Sequence, residues 1–211
     1  MNKIKAVIFD MDGVLIDAKD WHYEALNRAL NHFGYNISRY DHLFTFDGLP
    51  TRRKLEMLTK EHGLPVSLHS FINNLKQIYT TEIIHARCKP IFQHEYALSS
   101  LRSKGYKLAI ASNSVRNTIT LMMNKSNLDQ YLDAIVSNQD VKNGKPDPEI
   151  YVKAIDLLGV SPDEVLVLED NEHGILAAKA AGAHLMIISE VSDVTLDAIV
   201  DRISEIEDSN L

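Results

Sequence analysis

The sequence predicts an α/β fold: a doubly wound parallel sheet with an α-helical domain inserted after the first strand. Three observations carry this. A short apolar run, Ile4 to Phe9, ends on Asp10 and has the length and β-branched content of a strand buried on both faces. From Pro90 onward, strand-like and helix-like segments alternate, which is the pattern of parallel βαβ units. Between Ile16 and Pro90 no strand pattern occurs, and the apolar periodicity is helical throughout.

Bulk composition is compatible with this. A chain of 211 residues can bury a full core as one domain with a large insertion or as two modest domains. With 45% hydrophobic and 24% charged residues it reads as an ordinary globular protein. The formal net charge is −7 and no run of Lys and Arg is present, so nucleic acid is not an expected partner. No apolar stretch reaches the length of a membrane span, and the opening residues run into Asp10 too soon for a secretory signal, so no membrane is expected and the expected location is cytoplasmic. Cys88 is the single cysteine; it rules out an internal disulfide and a cysteine-based zinc site and reads as structural. Nothing marks an interface, and the expected state is a monomer.

Taken in order, Trp21, Ala25, Ala29 and Phe33 recur every fourth residue beside Leu26 and Leu30, which predicts a helix from Trp21 to Phe33 ended near Gly34. A loop with Gly48, Leu49 and Pro50 precedes a helix from about Thr51 to Glu61, stopped by Gly63 and Pro65. A longer helix, about Ser67 to Ala86, is expected to bury Leu68, Phe71, Ile72, Leu75, Ile78, Tyr79 and Ile83. Then come a helix from His94 to Lys104, a strand from Lys107 to Ala111, a helix from about Val115 to Lys125 and a strand from Ala134 to Ser137. A helix over Pro148 to Leu158 turns Ile150, Tyr151, Ala154 and Ile155 inward. Strand Val165 to Leu168, a helix over Ile175 to Ala181 and strand His184 to Ile188 complete the alternation. A weaker helix over about Thr195 to Ile203 leads into an acidic end expected to fray. There is no internal repeat and no low-complexity linker.

The chemistry-bearing residues sit where strands end. Asp10 and Asp12 follow the first strand at i and i+2, with Gly13 giving the backbone freedom to turn, and two carboxylates in so small a space call for a cation. The segment Phe9-Asp10-Met11-Asp12-Gly13-Val14-Leu15-Ile16-Asp17 resembles the nucleophile motif of the haloacid dehalogenase superfamily, in its phosphatase and β-phosphoglucomutase-like branch. Three later segments extend the resemblance in the family's order. Ser112, with Asn113 beside it, ends a strand before a helix, where a hydroxyl and free backbone N–H groups suit phosphoryl oxygens, although Ser112-Asn113-Ser114 would also serve as a helix cap. Lys145, between Gly144 and Pro146, lies on a backbone of restricted shape that can aim its ammonium group. Glu169 and Asp170 close an apolar strand as adjacent acids, hard oxygen ligands of the kind Mg²⁺ prefers.

The resemblance implies a Rossmann-like core over residues 1–15 and 89–211 and a helical cap over 16–88. It implies Asp10 as nucleophile, Asp12 as acid and base, and Lys145 and Ser112 as an electrostatic cradle. Mg²⁺ would be held by Asp10, Asp170 and the backbone carbonyl of Asp12, with Glu169 a direct or water-mediated partner. Gly13, Ser112 and Asn113 would bind substrate, as would His22 and Arg52 from the cap. Asp12 points to phosphate chemistry, because dehalogenases of the superfamily lack that acid and phosphonate-cleaving relatives have alanine there. The implied substrate is a small phosphorylated metabolite, a sugar or polyol phosphate. The implied reaction is hydrolysis, with phosphomutase chemistry and non-catalytic sugar-phosphate binding as the competing readings. Two places depart from the family pattern. Ala18 stands where Ser or Thr is common, and Thr51 stands where a β-phosphoglucomutase has arginine.

Overall fold

In a computed structural model the described residues are 3–46 and 48–209. The elements in chain order are β1 (Ala6–Phe9), α1 (Lys19–Asn31), α2 (Arg39–Phe44), α3 (Thr51–His62), α4 (His69–Arg87), α5 (Phe92–Ser103), β2 (Lys107–Ala111), α6 (Arg116–Lys125), β3 (Ala134–Val136), α7 (Glu149–Leu158), β4 (Val165–Glu169), α8 (Glu172–Ala180), β5 (His184–Ile187) and α9 (Leu196–Ser209). They fall into two compact units, Met1–Asp17 with Lys89–Leu211, and Ala18–Cys88.

The first unit is built on a five-stranded sheet of order β3-β2-β1-β4-β5 in which every pairing is parallel. Strand β1 is central because all four of its residues, Ala6 to Phe9, are apolar and fully buried, which only a strand covered on both faces accommodates. Register sets Phe9 opposite Ile110 on one side and Leu168 on the other. Asp10 therefore leaves the sheet level with the ends of β2 and β4. From β1 the chain builds outward to β2 and β3, then returns to add β4 and β5 on the other side. The carboxyl ends of β1 and β4 thus form the switch point where ligands of such sheets bind. Ile8, Val136, Ile155 and Val167 pack in one cluster under α7 and α8. Each such fully buried side chain contributes about 1.5–3 kcal/mol.

In the second unit Leu26 and Leu30 of α1, Leu55 and Leu58 of α3 and Ile72 of α4 form one apolar cluster. Four expectations are corrected by the structure. Phe71 and Ile78 are not buried; each is 54% exposed. The inward stripe of α4 runs through Ile72, Lys76, Thr80, Ile83 and Ile84, with the Thr80 hydroxyl donating to the Lys76 carbonyl. The loop before Gly48 contains a helix, α2, whose N-cap Ser38 accepts from the Asp41 N–H. The tail helix α9 runs through Ser209 instead of fraying after Ile203, because Ile199, Ile203 and Ile206 bury one face and the Glu207 carboxylate accepts from the Ile4 N–H at 3.1 Å. Asn210 and Leu211, the last of the acidic end, lie outside the described residues. Helix α8 starts three residues earlier than its apolar pattern suggests, since Asn171 caps it by accepting from the His173 N–H.

Candidate active site

The site is built from the chain that leaves β1. The Asp10 N–H donates to the Leu168 carbonyl at 3.0 Å, continuing the β1–β4 ladder one residue beyond the strand. The backbone then turns sharply: Leu15 and Ile16 N–H both donate to the Met11 carbonyl at 3.0 Å, and Gly13 N–H donates to the Ile16 carbonyl at 2.7 Å. Gly13 has φ +93°, a conformation that strains any residue with a Cβ. This closed loop fixes Asp10 and Asp12 on a rigid mount. The Ser114 hydroxyl donates to Asp12 Oδ2 at 2.9 Å.

Lys145 comes from the connection after β3. Asn113 grips it on both sides: its Oδ1 accepts from the Lys145 N–H at 3.0 Å, and its Nδ2 donates to the Lys145 carbonyl at 3.3 Å. A Cβ on Gly144 would lie 2.5 Å from Asn113 Oδ1, so glycine is what allows this close approach. The Lys145–Pro146 peptide is cis. Its side chain is 4% exposed, and Nζ donates to Asp10 Oδ1 at 2.6 Å and to Glu169 Oε1 at 2.5 Å.

Glu169 is fully buried and accepts four hydrogen bonds. Oε1 takes Lys145 Nζ and the Tyr151 hydroxyl, the latter at 2.6 Å; Oε2 takes the N–H groups of Asp170 at 3.1 Å and Asn171 at 3.3 Å. Gly174 makes room for this carboxylate, since a Cβ there would fall 1.7 Å from Glu169 Oε1. Lys145 Nζ also lies 4.8 Å from the Tyr151 ring centroid.

Oxygens of Asp10, Glu169 and Asp170 lie within 4.8 Å of one another. Three carboxylates face one ammonium group, and the electrostatics register that imbalance. Burial pushes the Asp10 carboxyl well above the usual range; Lys145 opposes this, while Glu169, Asp170 and Asp12 add to it. For Lys145, burial pulls downward but Asp10 and Glu169 outweigh it, so its pKa is raised and it stays an ammonium. Burial, followed by the charge of Glu169, pushes the Tyr151 hydroxyl well up, so it remains a donor. A cluster of hard oxygens short of positive charge suits a divalent ion such as Mg²⁺.

Of the residues singled out in the sequence, Asp10, Asp12, Gly13, Ser112, Asn113, Lys145, Glu169 and Asp170 all lie in the first unit, at the carboxyl ends of its strands or in the loops that follow them. Ser112 is 2% exposed, and its Oγ accepts from the Ser114 N–H at 3.1 Å. Asn113, expected beside the phosphate, spends its amide on the Lys145 main chain. His22 and Arg52 lie in the helical unit. His22 Nδ1 is 3.3 Å from Lys76 Nζ, and Arg52 is paired with Glu56 at 3.0 Å with its side chain 88% exposed. Sequence reasoning missed Tyr151, Ser114 and Lys76. Tyr151 reads as a core residue from its spacing, and nothing local marks its hydroxyl. Ser114 reads as a cap, and Lys76 interrupts an apolar stripe where a surface residue is the ordinary expectation.

Residues 7–188 match the family described as haloacid dehalogenase-like hydrolase. The chain belongs to that family. A phosphorylated carbohydrates phosphatase of Thermotoga maritima is 34% identical to it over 187 residues, 85% of this chain and 82% of that protein. A phosphoglycolate phosphatase of Aquifex aeolicus is 28% identical over 212 residues, 95% of each chain. The crystal structure of a β-phosphoglucomutase from Clostridium difficile shares the fold with a TM-score of 0.83 at 22% identity, covering 96% of this chain and 98% of that one. This hydrolase has no helix among the described residues that is long and apolar enough to cross a membrane.

Proposed function

We propose that this hydrolase is a Mg²⁺-dependent phosphatase of small phosphomonoesters, with sugar or polyol phosphates the first candidates, and that it works through an aspartyl phosphate on Asp10. The observation that carries the reading is the convergence of Asp10, Glu169 and Asp170 within 4.8 Å, with Lys145 bonded to two of them. The phosphorylated carbohydrates phosphatase among its relatives supports the substrate class.

An oxygen of Asp10 attacks phosphorus in line, the P–O bond to the leaving group breaks, and Asp12 gives the leaving oxygen its proton. Asp12 then takes a proton from a water that attacks phosphorus, and the bond to Asp10 breaks. Lys145, held on Asp10, neutralises the nucleophile and the incoming phosphoryl oxygens, and the Ser112 hydroxyl, directly after the end of β2, donates to them. Asp10, Asp170 and the backbone carbonyl of Asp12 would hold Mg²⁺. When bound, Mg²⁺ supplies the positive charge that offsets repulsion between carboxylates and phosphate. Glu169, whose oxygens already accept from four donors, fits a water-mediated place beside it. The helical unit, residues 18–88, acts in this reading as the cap that selects substrate, with His22 and Arg52 its contributors. The enzyme works as a cytoplasmic monomer.

The test is a phosphate-release screen over sugar, polyol, nucleotide and short acid phosphates, run with Mg²⁺ and with chelator. Chelator-sensitive release from a sugar or polyol phosphate is the expected result; release that chelator does not affect would contradict it. A phosphomutase reading draws on His22, which matches a histidine of β-phosphoglucomutase-like members and lies beside Lys76. Transfer dependent on a bisphosphate primer, without free phosphate, would favour that reading.

A further inference from the structure

Ser114 sits in the connection from β2 to α6, and its side chain is not used to start the helix. The N-cap of α6 is Val115, and the first helical N–H, that of Arg116, donates to the Gln139 side chain at 2.9 Å. The Ser114 hydroxyl turns instead to Asp12 Oδ2, 2.9 Å away across 102 residues of sequence. Its main chain is pinned on both sides. Its N–H donates to Ser112 Oγ at 3.1 Å, and its carbonyl accepts from the Asn138 N–H at 3.2 Å. Asn138 Nδ2 also donates to the carbonyl of the preceding residue, Asn113, at 2.8 Å. A hydroxyl on so fixed a backbone can set the plane of a carboxylate. The contact lies wholly within the sheet unit.

We infer that Ser114 is a positioning residue for Asp12: its hydroxyl, donating to Oδ2 at 2.9 Å from a fixed backbone, sets the plane in which that carboxyl meets the leaving oxygen. In the first half-reaction the Asp10 oxygen–phosphorus bond forms, the bond from phosphorus to the leaving oxygen breaks, and the Asp12 carboxyl gives its proton to that oxygen. Removing the Ser114 hydroxyl lets the carboxyl rotate about its Cβ–Cγ bond and weakens the transfer without touching the nucleophile. This inference rests on the phosphatase reading above.

Leaving groups separate the two. Phenyl phosphate expels a phenolate that needs a proton, whereas 2,4-dinitrophenyl phosphate expels one that does not. With Mg²⁺ and enzyme in excess, the rate of phenol release in a single turnover is measured for wild type, Ser114→Ala, Ser114→Thr and Asp12→Ala. Ser114→Ala is expected to slow phenyl phosphate about tenfold more than the dinitrophenyl ester, and Asp12→Ala to widen that gap to roughly a hundredfold or more. Ser114→Thr, which keeps the hydroxyl, is expected to restore most of the lost rate. Equal losses on both esters, or no loss on either, in Ser114→Ala would overturn the inference while leaving the phosphatase reading intact, provided that Asp12→Ala still discriminates. If Asp12→Ala does not discriminate, Asp12 is not the acid and the inference falls with that role, while phosphate release from a sugar or polyol phosphate still tests the phosphatase reading.

Discussion

In the sheet unit, Lys145 is 4% exposed and bonded to two carboxylates, one of them fully buried; in the helical unit, Arg28, Arg39 and Arg87 pair with Glu82, Asp20 and Glu24 in the open. All of these contacts are short, between 2.5 and 2.8 Å, so geometry alone does not rank them. Surroundings do. An exposed pair gains little, because water already solvates both partners and its side chains lose freedom in pairing. A buried pair is taken out of water at high cost and leaves an uncompensated charge when one member is removed. A fold that needed stability alone would fill the end of β1 with apolar side chains, so the buried charges there mark a site, and the exposed pairs of the helices mark a solvated surface.

The sharpest way to break this contrast is Lys145→Ala. It leaves Asp10, Glu169 and Asp170 facing one another without their ammonium and is expected to cost about 3–5 kcal/mol in urea unfolding without metal, with millimolar Mg²⁺ recovering part of it. A loss below about 1 kcal/mol would mean that the buried cluster behaves like a surface pair. Gly174→Ala comes next. A methyl group 1.7 Å from Glu169 Oε1 forces that carboxylate to shift away from Lys145 and Tyr151, at a cost of about 1–3 kcal/mol and a clear fall in turnover.

Asp140 is an intermediate case, with its side chain 23% exposed. Burial pushes its carboxyl up, but hydrogen bonds from the Ser137 hydroxyl and N–H and from Arg116 outweigh this and hold it below the usual range. Its stabilisation is therefore complete above the unfolded carboxylate pKa and lost as pH falls through the lower folded value. Asp140→Asn is expected to cost about 1 kcal/mol at neutral pH, and its unfolding curve should converge on that of wild type as pH drops below about 4. Glu82→Gln, at an exposed pair, should change stability by less than about 1 kcal/mol and should lose even that in high salt.

The same contrast explains what was legible in the sequence. All five strands could be placed because continuous apolar runs such as Ala6 to Phe9 and Val165 to Leu168 have few alternatives in a chain of this composition. The carboxylates were legible because they end those runs. What joins them was not: Tyr151 reaches Glu169 across 18 residues, and Asn113 grips Lys145 across 32, so only the folded sheet brings them together. In the helical unit the errors came from reading polar residues as outward. Lys76 and Thr80 lie on the buried face of α4 and displace Phe71 and Ile78 to the surface. Helix α2 carried a readable signal in Ser38-Arg39-Tyr40-Asp41, a cap with an acid three residues later, yet six residues are too few to show a period. The length of α9 was also readable, since Ile199, Ile203 and Ile206 keep helical spacing into the acidic tail.

The central claim is that Asp10 itself becomes phosphorylated. Wild type and Asp10→Asn, mixed with an aryl phosphate and Mg²⁺ and quenched in acid, can be digested and mapped by mass spectrometry. A phosphoryl group on the peptide carrying Asp10, absent in the variant and absent when chelator replaces Mg²⁺, is the expected result; steady turnover with the phosphoryl group on another residue, or undiminished in Asp10→Asn, would contradict it.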